Sequence, residues 1–486
     1  MRGSSTDSTV KKKRFKNHIL SESYKPFIPE ARIEELMATV NPSPQQVRDV
    51  LQKSMELQPL GIEETAVLVN VQDLALKEEI WQTAKELKKK VYGNRIVLFA
   101  PLYVGSYCVN DCTYCSFRVS NKGAFRKTLT HEELVSQVES LEDMGHKRLI
   151  LVFGEHRTYD PGFIADTVQT VYGIKKGMGS IRRVNINAAP LDVKGFKRIH
   201  DAGIGTYQIF QETYHRPTYK LVHPEYTQKG DYDYRIDGLS RAFTAGCDDM
   251  GLGVLFGLYD WRFEVLALIA HSTHLHEHFG VGPHTLSFPR MQPAFGTAFN
   301  PNYLVSDEEF KHLVAVLRLA VPYAGMILTA REKPEIRREI MSYGVSQIDA
   351  GTRLEIGGYT SENKDQNVEQ EQFELGDMRP MDEVMRELLQ DGYLPSFCTS
   401  CYRQGRTGKQ FMEFAIPGFI EKFCTPNGLL TLLEYLEDYA SDKTKKVGLQ
   451  CLERELAQLD DSSAIKAKVI KRMKQISDDG VRDLYF

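Results

Sequence analysis

The sequence predicts an α/β protein built on a (β/α)₈ barrel, with a helical N-terminal extension and a mostly helical C-terminal segment. Between residues 95 and 351, short apolar runs alternate with amphipathic stretches and turns, as in βα units around a parallel sheet. Eight such runs occur, and their span is close to the roughly 250 residues of a typical barrel. An open sheet with extra strands is the alternative, although a simple doubly wound sheet has only about six strands.

Residues 1–93 are expected to form the N-terminal extension. Apolar positions recur at helical spacing in RIEELMATV and, after a break at NPSP, in PQQVRDVLQKSMEL. About the first 25 residues, which include the basic run KKKRFK, are expected to be disordered and solvated. An organelle transit sequence is the alternative for this terminus.

The barrel is expected to occupy residues 94–356. The polar stretch 357–378 has no apolar period, so we expect a linker or an exposed loop there. Residues 357–486 form the C-terminal domain, which ends in amphipathic helices such as LLTLLEYLEDYA. The eight predicted strands are 95–103, 147–154, 182–188, 205–212, 248–257, 283–290, 324–330 and 345–351.

Composition excludes several classes of protein. The 486 residues are 42% hydrophobic and 26% charged with a net charge of −4, which is typical of a globular protein and gives no basic field for nucleic acid. No stretch approaches about 18 consecutive apolar residues, and the N-terminus lacks an apolar signal core. We therefore expect a cytoplasmic protein that binds neither nucleic acid nor membrane.

The first of two cysteine groups follows the first predicted strand. Cys108, Cys112 and Cys115 have the spacing C-x3-C-x2-C within APLYVGSYCVNDCTYCSF. Three thiolates on one loop fit three irons of a [4Fe-4S] cluster, and the open fourth iron can chelate the amino and carboxylate groups of S-adenosylmethionine. A zinc site or unreactive core thiols are the alternatives, but zinc normally takes four ligands and no fourth Cys or His lies nearby in sequence.

This spacing, with Tyr114 directly before the third cysteine, resembles that of the radical S-adenosylmethionine superfamily. The resemblance implies a barrel of the radical SAM type, with the cluster loop on its active face. It also implies cofactor-binding roles for residues at the ends of the second, third and fourth strands. These are Gly154 and Glu155 for the methionine amino group, and Asn187, Gln208 and Glu212 for the ribose and carboxylate.

The second cysteine group is Cys398, Cys401 and Cys424, with the spacing C-x2-C-x22-C. A zinc ribbon would need a second C-x2-C pair, and a redox C-x-x-C would not need the third cysteine. A second iron–sulfur cluster with an open iron fits the three thiolates better, while zinc and a purely structural role stay open.

The two cysteine groups together resemble those of the HydG family, tyrosine lyases that mature [FeFe]-hydrogenase. The resemblance runs from about Pro29 to the C-terminus and includes TYQIFQETYHRPTY and FGVGPHT. It implies radical cleavage of L-tyrosine between Cα and Cβ to p-cresol and dehydroglycine, which is converted to carbon monoxide and cyanide on iron for H-cluster assembly. The related lyase of thiazole synthesis, 2-iminoacetate synthase, lacks the C-terminal cysteines and is the alternative enzyme. A non-enzymatic iron–sulfur scaffold is the other alternative.

The same resemblance implies a labile fifth iron on the second cluster and an internal tunnel that joins the two sites. Cysteine and iron are the implied co-substrates, other hydrogenase maturases the implied partners, and ferredoxin or flavodoxin the implied electron donor. A histidine is expected on the labile iron, and AHSTHLHEHFGVGPHT offers several. His274 is the first choice and His284 the second, with a solvated polar helix face as the alternative.

Arg331, after the seventh predicted strand, is expected to clamp the tyrosine carboxylate through two hydrogen bonds, as the resemblance also implies. A surface ion pair with Glu332 or Glu335 is the alternative. Cys247 and Cys451 have no neighbour at ligand spacing, so we interpret both as structural.

Overall fold

The N-terminal extension is helical, as the sequence predicts, with four helices before the first strand in the described part of the chain. The computed structural model describes residues 18–38, 41–297, 300–362, 365–459 and 464–486. The second helix begins at the NPSP break, where Ser43 forms a reciprocal capping box with Gln46 and a proline occupies the first turn. The four helices are α1 (Glu30–Met37), α2 (Pro44–Met55), α3 (Ile62–Val69) and α4 (Leu74–Tyr92).

The chain before α1 contacts the barrel. Ser21 donates its backbone N–H and its hydroxyl to the two carboxylate oxygens of Asp237, at 2.8 and 2.5 Å. Residues 1–17, which hold most of the terminus expected to be disordered, lie outside the described residues.

Eight parallel strands close into the predicted barrel, because β1 pairs with β8 on one side and with β2 on the other. Every residue of β1 is buried, as expected for a parallel strand covered on both faces. The strands are β1 (Arg95–Gly105), β2 (Arg148–Phe153), β3 (Arg183–Asn187), β4 (Tyr207–Glu212), β5 (Met250–Val254), β6 (Thr285–Ser287), β7 (Gly325–Leu328) and β8 (Gln347–Asp349).

The helices between these strands form the outer layer, and polar caps fix where several of them begin. Thr130 and Ser306 each form a capping box, and Asp160 and Asp192 each accept a backbone N–H from the first turn. The helices are α5 (His131–Asp143), α6 (Pro161–Gly173), α7 (Val193–His200), α8 (Arg216–Val222), α9 (Tyr232–Ile236), α10 (Gly238–Thr244), α11 (Trp261–Phe279), α12 (Asp307–Ala320) and α13 (Pro334–Met341).

The C-terminal part is mostly helical, as predicted, but it also contributes a ninth strand that the sequence did not indicate. Strand β9 (Leu394–Ser396) runs parallel to the start of β1, with Leu394 opposite Arg95. It has only three residues and contains a proline, so it shows no period of its own. The helices are α14 (Met381–Gln390), α15 (Ser400–Arg403), α16 (Gly408–Ala415), α17 (Glu421–Asp438), α18 (Asp442–Ala457) and α19 (Ala464–Ser477).

The expected linker at 357–378 covers the top of the barrel from about residue 366 onward, so the prediction of an exposed loop is wrong for this part. Glu371 and Asp377 are buried. Gln372 accepts the backbone N–H of Ser116 on its carbonyl, and its side chain accepts from the Tyr103 hydroxyl at 2.8 Å. Of the two buried carboxylates, Asp377 is in an ion pair with Arg337, from which it accepts at 2.6 Å.

Within the described residues, no helix is long and apolar enough to cross a membrane.

The attachment of β9 can be tested through the buried Phe397 N–H, which donates to the Thr431 hydroxyl at 3.2 Å. Thr431→Val should lower the free energy of unfolding by about 1–3 kcal/mol, because this N–H stays buried without an acceptor. Chemical denaturation measures the change. Thr170→Val, which removes a hydroxyl bonded only within α6, is the control and should change it by less than about 0.5 kcal/mol. Equal stability of the two variants would contradict this role of Thr431.

Candidate active site

The first cysteine group lies on the loop that leaves β1 at the C-terminal face of the barrel. Cys108, Cys112 and Cys115 all line a cavity of about 200 Å³ at this face. A turn brings the last two together, since the Cys115 N–H donates to the Cys112 carbonyl at 3.2 Å. All three thiols are free of disulfides.

Gly154 allows the cysteine loop to lie against the end of β2. A Cβ atom at this position would lie 2.1 Å from the Tyr107 carbonyl oxygen, so no other residue fits without displacing the loop. The neighbouring Glu155 forms two hydrogen bonds with the same loop. Its carbonyl accepts the Val109 N–H at 2.8 Å, and its carboxylate accepts the Asn110 side-chain N–H at 2.6 Å.

The structure brings the sequence-predicted cofactor residues together around this one cavity. Besides the three cysteines, its lining includes Tyr114, Gly154, Glu155, Asn187, Gln208 and Glu212. They come from three consecutive strands, β2, β3 and β4, and from the cysteine loop that follows β1, as expected for the active face of a barrel. The Tyr114 hydroxyl is hydrogen-bonded to His223 Nε2 at 2.8 Å, which fixes its ring beside the cysteines.

Glu212 has a left-handed backbone with φ 71°, which is rare for a residue with a side chain. The register between β4 and β5 shifts at the same point. Its carboxylate accepts from Lys229 Nζ at 2.6 Å and lies 3.7 Å from an Arg235 nitrogen. Backbone strain held by two cations inside a cavity is typical of a functional position.

Lys229 and Arg235 also line the cavity, and the sequence analysis missed both. They follow β4 by many residues, in a loop and a short helix that carry no recognisable motif. A search for basic residues in the long β4–β5 connection could have found them, because that connection leaves β4 at the active face.

The chemistry of the first cysteine group fits an iron–sulfur cluster. Burial raises the pKa of each thiol to about 11, so the cysteines are neutral at pH 7 until a metal displaces their protons. No three His, Cys, Asp or Glu side chains among the described residues converge on a single metal position. This is compatible with a cluster, in which each thiolate binds a different iron.

Arg331 lies at the same cavity, and its guanidinium stacks 3.2 Å from the Phe373 ring centroid. The surface ion pair considered for it is not formed with Glu332, which instead accepts from Arg290 at 3.0 Å. Arg331 forms no ion pair with any described residue. Its removal from bulk water lowers its pKa, so an anion in the cavity would be a favourable partner.

The second cysteine group lies at the opposite end of the barrel. Cys398 follows β9, Cys401 lies in α15 and Cys424 lies in the first turn of α17. Arg95, the first residue of β1, is buried beside them, and its Nε has no hydrogen-bond partner. Burial opposes the charge of Arg95, but the three cysteines raise its pKa overall, with Cys424 the largest contributor among them.

Two more arginines join Arg95 at this end, each the first residue of its strand. Arg148 donates to the Cys398 carbonyl at 2.6 Å, and the Arg183 guanidinium lies 3.3 Å from the Tyr402 ring centroid. All three are buried, and the Nε of each lacks a hydrogen-bond partner. We call Arg95, Arg148 and Arg183 the arginine ring. Its unsatisfied N–H groups can donate hydrogen bonds to an anion, and the nearby thiols can bind iron. This end of the barrel therefore suits an anionic cluster or ligand.

The described contacts favour His284 over His274 as the histidine of this site, which reverses the predicted order. His284 Nε2 lies 3.5 Å from the Tyr402 hydroxyl, next to Cys401, and its Nδ1 lies 3.7 Å from Asp249. His274 is instead stacked on Phe27 with ring centroids 3.8 Å apart, on the outer layer of helices. Sequence spacing along one helix face could not reveal that this face packs against the N-terminal segment.

Cys247 and Cys451 are buried and belong to neither cysteine group, and each contacts a backbone carbonyl. The Cys247 sulfur lies 3.9 Å from the Phe196 carbonyl, and the Cys451 sulfur 3.4 Å from that of Tyr393. These contacts agree with the structural interpretation.

Comparison with known proteins first identifies the class. Residues 102–269 match the family model of the Radical SAM superfamily, and residues 287–394 match the Biotin and Thiamin Synthesis associated domain. The barrel and its cysteine loop are those of a radical SAM enzyme, a class that implies a [4Fe-4S] cluster and S-adenosylmethionine.

The chain is similar to 2-iminoacetate synthase of Escherichia coli (strain K12), with 29% identity over 330 residues that cover 65% of this chain and 81% of that protein. A solved structure of HydG, a maturase of the [FeFe]-hydrogenase, is 47% identical with a TM-score of 0.91, over 95% of this chain and 100% of that one. HydG from Carboxydothermus hydrogenoformans is 36% identical with a TM-score of 0.79, over 92% and 98%. The chain belongs to the HydG family.

The close approach at Gly154 gives a test of the cysteine loop. Gly154→Ala should fold but displace the loop, and an active-site shift of about 1 Å costs on the order of a hundredfold in rate. The measurement is 5′-deoxyadenosine formation from S-adenosylmethionine by the reconstituted protein. Gly173→Ala, where a Cβ meets nothing within 4 Å, is the matched control and should keep the original rate. An equal rate in both variants would contradict the proposed packing of the loop.

Proposed function

We propose that this protein is a radical SAM lyase that cleaves L-tyrosine between Cα and Cβ. In this proposal the products are p-cresol and dehydroglycine, and the latter yields carbon monoxide and cyanide that are captured on iron for H-cluster assembly. The observation that supports this most is the presence of two cysteine triads at opposite ends of one barrel. A single reaction site would need only the first triad.

At the first site, Cys108, Cys112 and Cys115 would hold a [4Fe-4S] cluster that supplies an electron to cleave S-adenosylmethionine. Glu155 would accept from the methionine amino group. Lys229 and Arg235 lie 2.6 and 3.7 Å from the Glu212 carboxylate, so a carboxylate of the cofactor would share these two cations with Glu212.

Arg331 would bind the carboxylate of tyrosine. It has no ion-pair partner among the described residues, and the Phe373 ring fixes its guanidinium plane. An arginine held in this way presents two parallel N–H donors, which match a carboxylate.

The path to the second site would run inside the barrel. Phe99, a wall of the upper cavity, and Arg95, of the arginine ring, lie four residues apart on β1 and therefore point to the same side. On β2, Ile150 of the cavity wall and Arg148 of the arginine ring lie two residues apart and also point to one side. An anionic fragment such as dehydroglycine would thus leave an apolar wall and meet cations, which favours movement toward the bottom of the barrel.

At the second site, Cys398, Cys401 and Cys424 would hold another [4Fe-4S] cluster with a labile fifth iron. His284 is our choice for the ligand of that iron, with Asp249 facing its other ring nitrogen, as is usual for metal-binding histidines. The arginine ring would neutralise cyanide and the cluster itself. Cysteine and iron are proposed as co-substrates, other hydrogenase maturases as acceptors of the product, and ferredoxin or flavodoxin as the electron source.

The experiment that tests this function is anaerobic reconstitution of the full chain, followed by incubation with S-adenosylmethionine, reductant and tyrosine. p-Cresol together with carbon monoxide would support the proposal. p-Cresol with glyoxylate and no carbon monoxide would indicate 2-iminoacetate synthase activity, which the 29% identity to that enzyme makes the second candidate. Absence of 5′-deoxyadenosine from a fully loaded protein would contradict both.

Arg331→Leu tests the carboxylate clamp. The loss of a charge-assisted pair should weaken tyrosine binding by roughly 1.5–3 kcal/mol, or about ten- to more than a hundredfold in KM. Initial rates of p-cresol formation measure this change. Arg338→Leu, at an exposed arginine paired with Asp391, is the control and should keep the original KM. An unchanged KM in Arg331→Leu would exclude this residue from the tyrosine site.

Replacement of Cys398 and Cys401 by serine tests whether the two sites are separable. With one thiolate left the second cluster cannot assemble, so carbon monoxide should disappear while p-cresol formation stays largely intact. Gas analysis and chromatography measure the two products. Cys451→Ser, at a buried cysteine outside both triads, is the control and should keep both. Loss of p-cresol from a folded double variant would show instead that the C-terminal part shapes the tyrosine pocket.

A further inference from the structure

The segment that covers the top of the barrel contacts the first cysteine group through the side chain of Gln372. The Nε2 atom of this glutamine lies 3.6 Å from the Cys115 sulfur, to which it donates a hydrogen bond. Among the described residues, no other side chain donates a hydrogen bond to a sulfur of this group. Gln372 and Cys115 both line the upper cavity, so the contact lies where the first cluster would be held.

Two further hydrogen bonds fix the position of Gln372. Its backbone carbonyl accepts the N–H of Ser116, the residue after Cys115, at 3.2 Å. Its side-chain Oε1 accepts the Tyr103 hydroxyl at 2.8 Å. Tyr103 is buried and belongs to β1, so a strand of the barrel holds the amide in place. Because Oε1 is occupied by this hydroxyl, the amide N–H group is the part that faces the sulfur.

The amide nitrogen is suited to a sulfur that is bound to iron. Such a sulfur carries no proton and can only accept a hydrogen bond, whereas the amide nitrogen only donates. The same contact already acts on the free thiol of Cys115. Burial is the largest influence on this thiol and raises its pKa, while the hydrogen bond from Gln372 lowers it. An N–H donor therefore favours negative charge on this sulfur.

We propose that Gln372, held in place by Tyr103, raises the reduction potential of the first cluster by donating an N–H to the Cys115 sulfur. Reduction adds one electron, which an external reductant supplies, and it requires no transfer of a proton and no change of a bond. The added negative charge strengthens an N–H···S hydrogen bond, so this bond stabilises the reduced cluster more than the oxidised one. The inference rests on the first cluster of the proposed function but not on tyrosine as the substrate.

The test is a redox titration of the reconstituted full chain, followed by electron paramagnetic resonance at the g-values of the signal that S-adenosylmethionine shifts. The titration itself contains neither S-adenosylmethionine nor tyrosine. Gln372→Met keeps an unbranched side chain but removes the N–H donor. At a given potential, the ratio of reduced to oxidised cluster should fall about tenfold, which for one electron is a shift of about 59 mV to lower potential. Tyr103→Phe removes only the group that orients the amide, so it should cause a smaller shift in the same direction.

The matched control is Gln292→Met, the same change at a second glutamine that lines the cavity but donates to none of the three sulfurs. It should keep the original potential. Equal potentials in Gln372→Met and Gln292→Met would overturn the proposal. Iron and sulfide analysis shows whether Gln372→Met takes up the first cluster. If it does not, Tyr103→Phe decides, and an unchanged potential in that variant would overturn the proposal.

A second measurement separates a hydrogen bond to the cluster from simple support of the loop. With glutamine labelled by ¹⁵N at the side-chain amide, pulsed electron paramagnetic resonance of the reduced first cluster should detect a ¹⁵N coupling that Gln372→Met loses. Absence of this coupling from the original protein would overturn the proposal.

Neither measurement uses tyrosine, so failure of the lyase assay would leave this test unaffected. Absence of any cluster that responds to S-adenosylmethionine would overturn both this inference and the proposed function. A responsive cluster whose potential does not depend on Gln372 would overturn this inference alone.

Discussion

The length of β1 is the constraint on which the rest of the structure depends. This strand has eleven residues, and it pairs with β9 at its start, with β8 in its middle and with β2 toward its end. At about 3.3 Å per residue, its two ends lie roughly 33 Å apart. Arg95, at the start of the strand, lies beside the second cysteine triad. Gly105, at its end, leads into the loop that carries the first cysteine triad. One strand thus fixes the positions of both sites.

Charge distinguishes the two ends of the barrel from its middle. The upper cavity contains Lys229, Arg235 and Arg331, and the lower end contains the arginine ring. Between them lies a small apolar cluster of Phe99, Ile150 and Ile327. Lys229 and Arg235 pair with Glu212, and Arg183 pairs with Asp249. Arg331 at the upper end, and Arg95 and Arg148 at the lower end, have no carboxylate partner among the described residues. A buried cation of this kind is costly unless an anion accompanies it, so both ends suit negatively charged ligands. This arrangement gives a physical reason for a reaction in two stages within one chain.

Much of the fold and of the first site could be predicted from sequence, because both are encoded locally. Strands β1 to β6 are short apolar runs before a helix with a side-chain N-cap, and the cysteine loop and Glu155 directly follow such runs. Strand β9 and the cover around Gln372 could not be predicted. Their positions depend on contacts between residues far apart in sequence. The sequence could not rank His274 and His284 for the same reason, since only packing shows which histidine faces Tyr402.

The central claim is that one barrel holds two separate iron–sulfur clusters, of which only the first binds S-adenosylmethionine. Electron paramagnetic resonance of the reduced, fully reconstituted chain tests this most directly. The account predicts two cluster signals with different g-values, and addition of S-adenosylmethionine should shift only one of them. A single signal, or two signals that both shift, would contradict it.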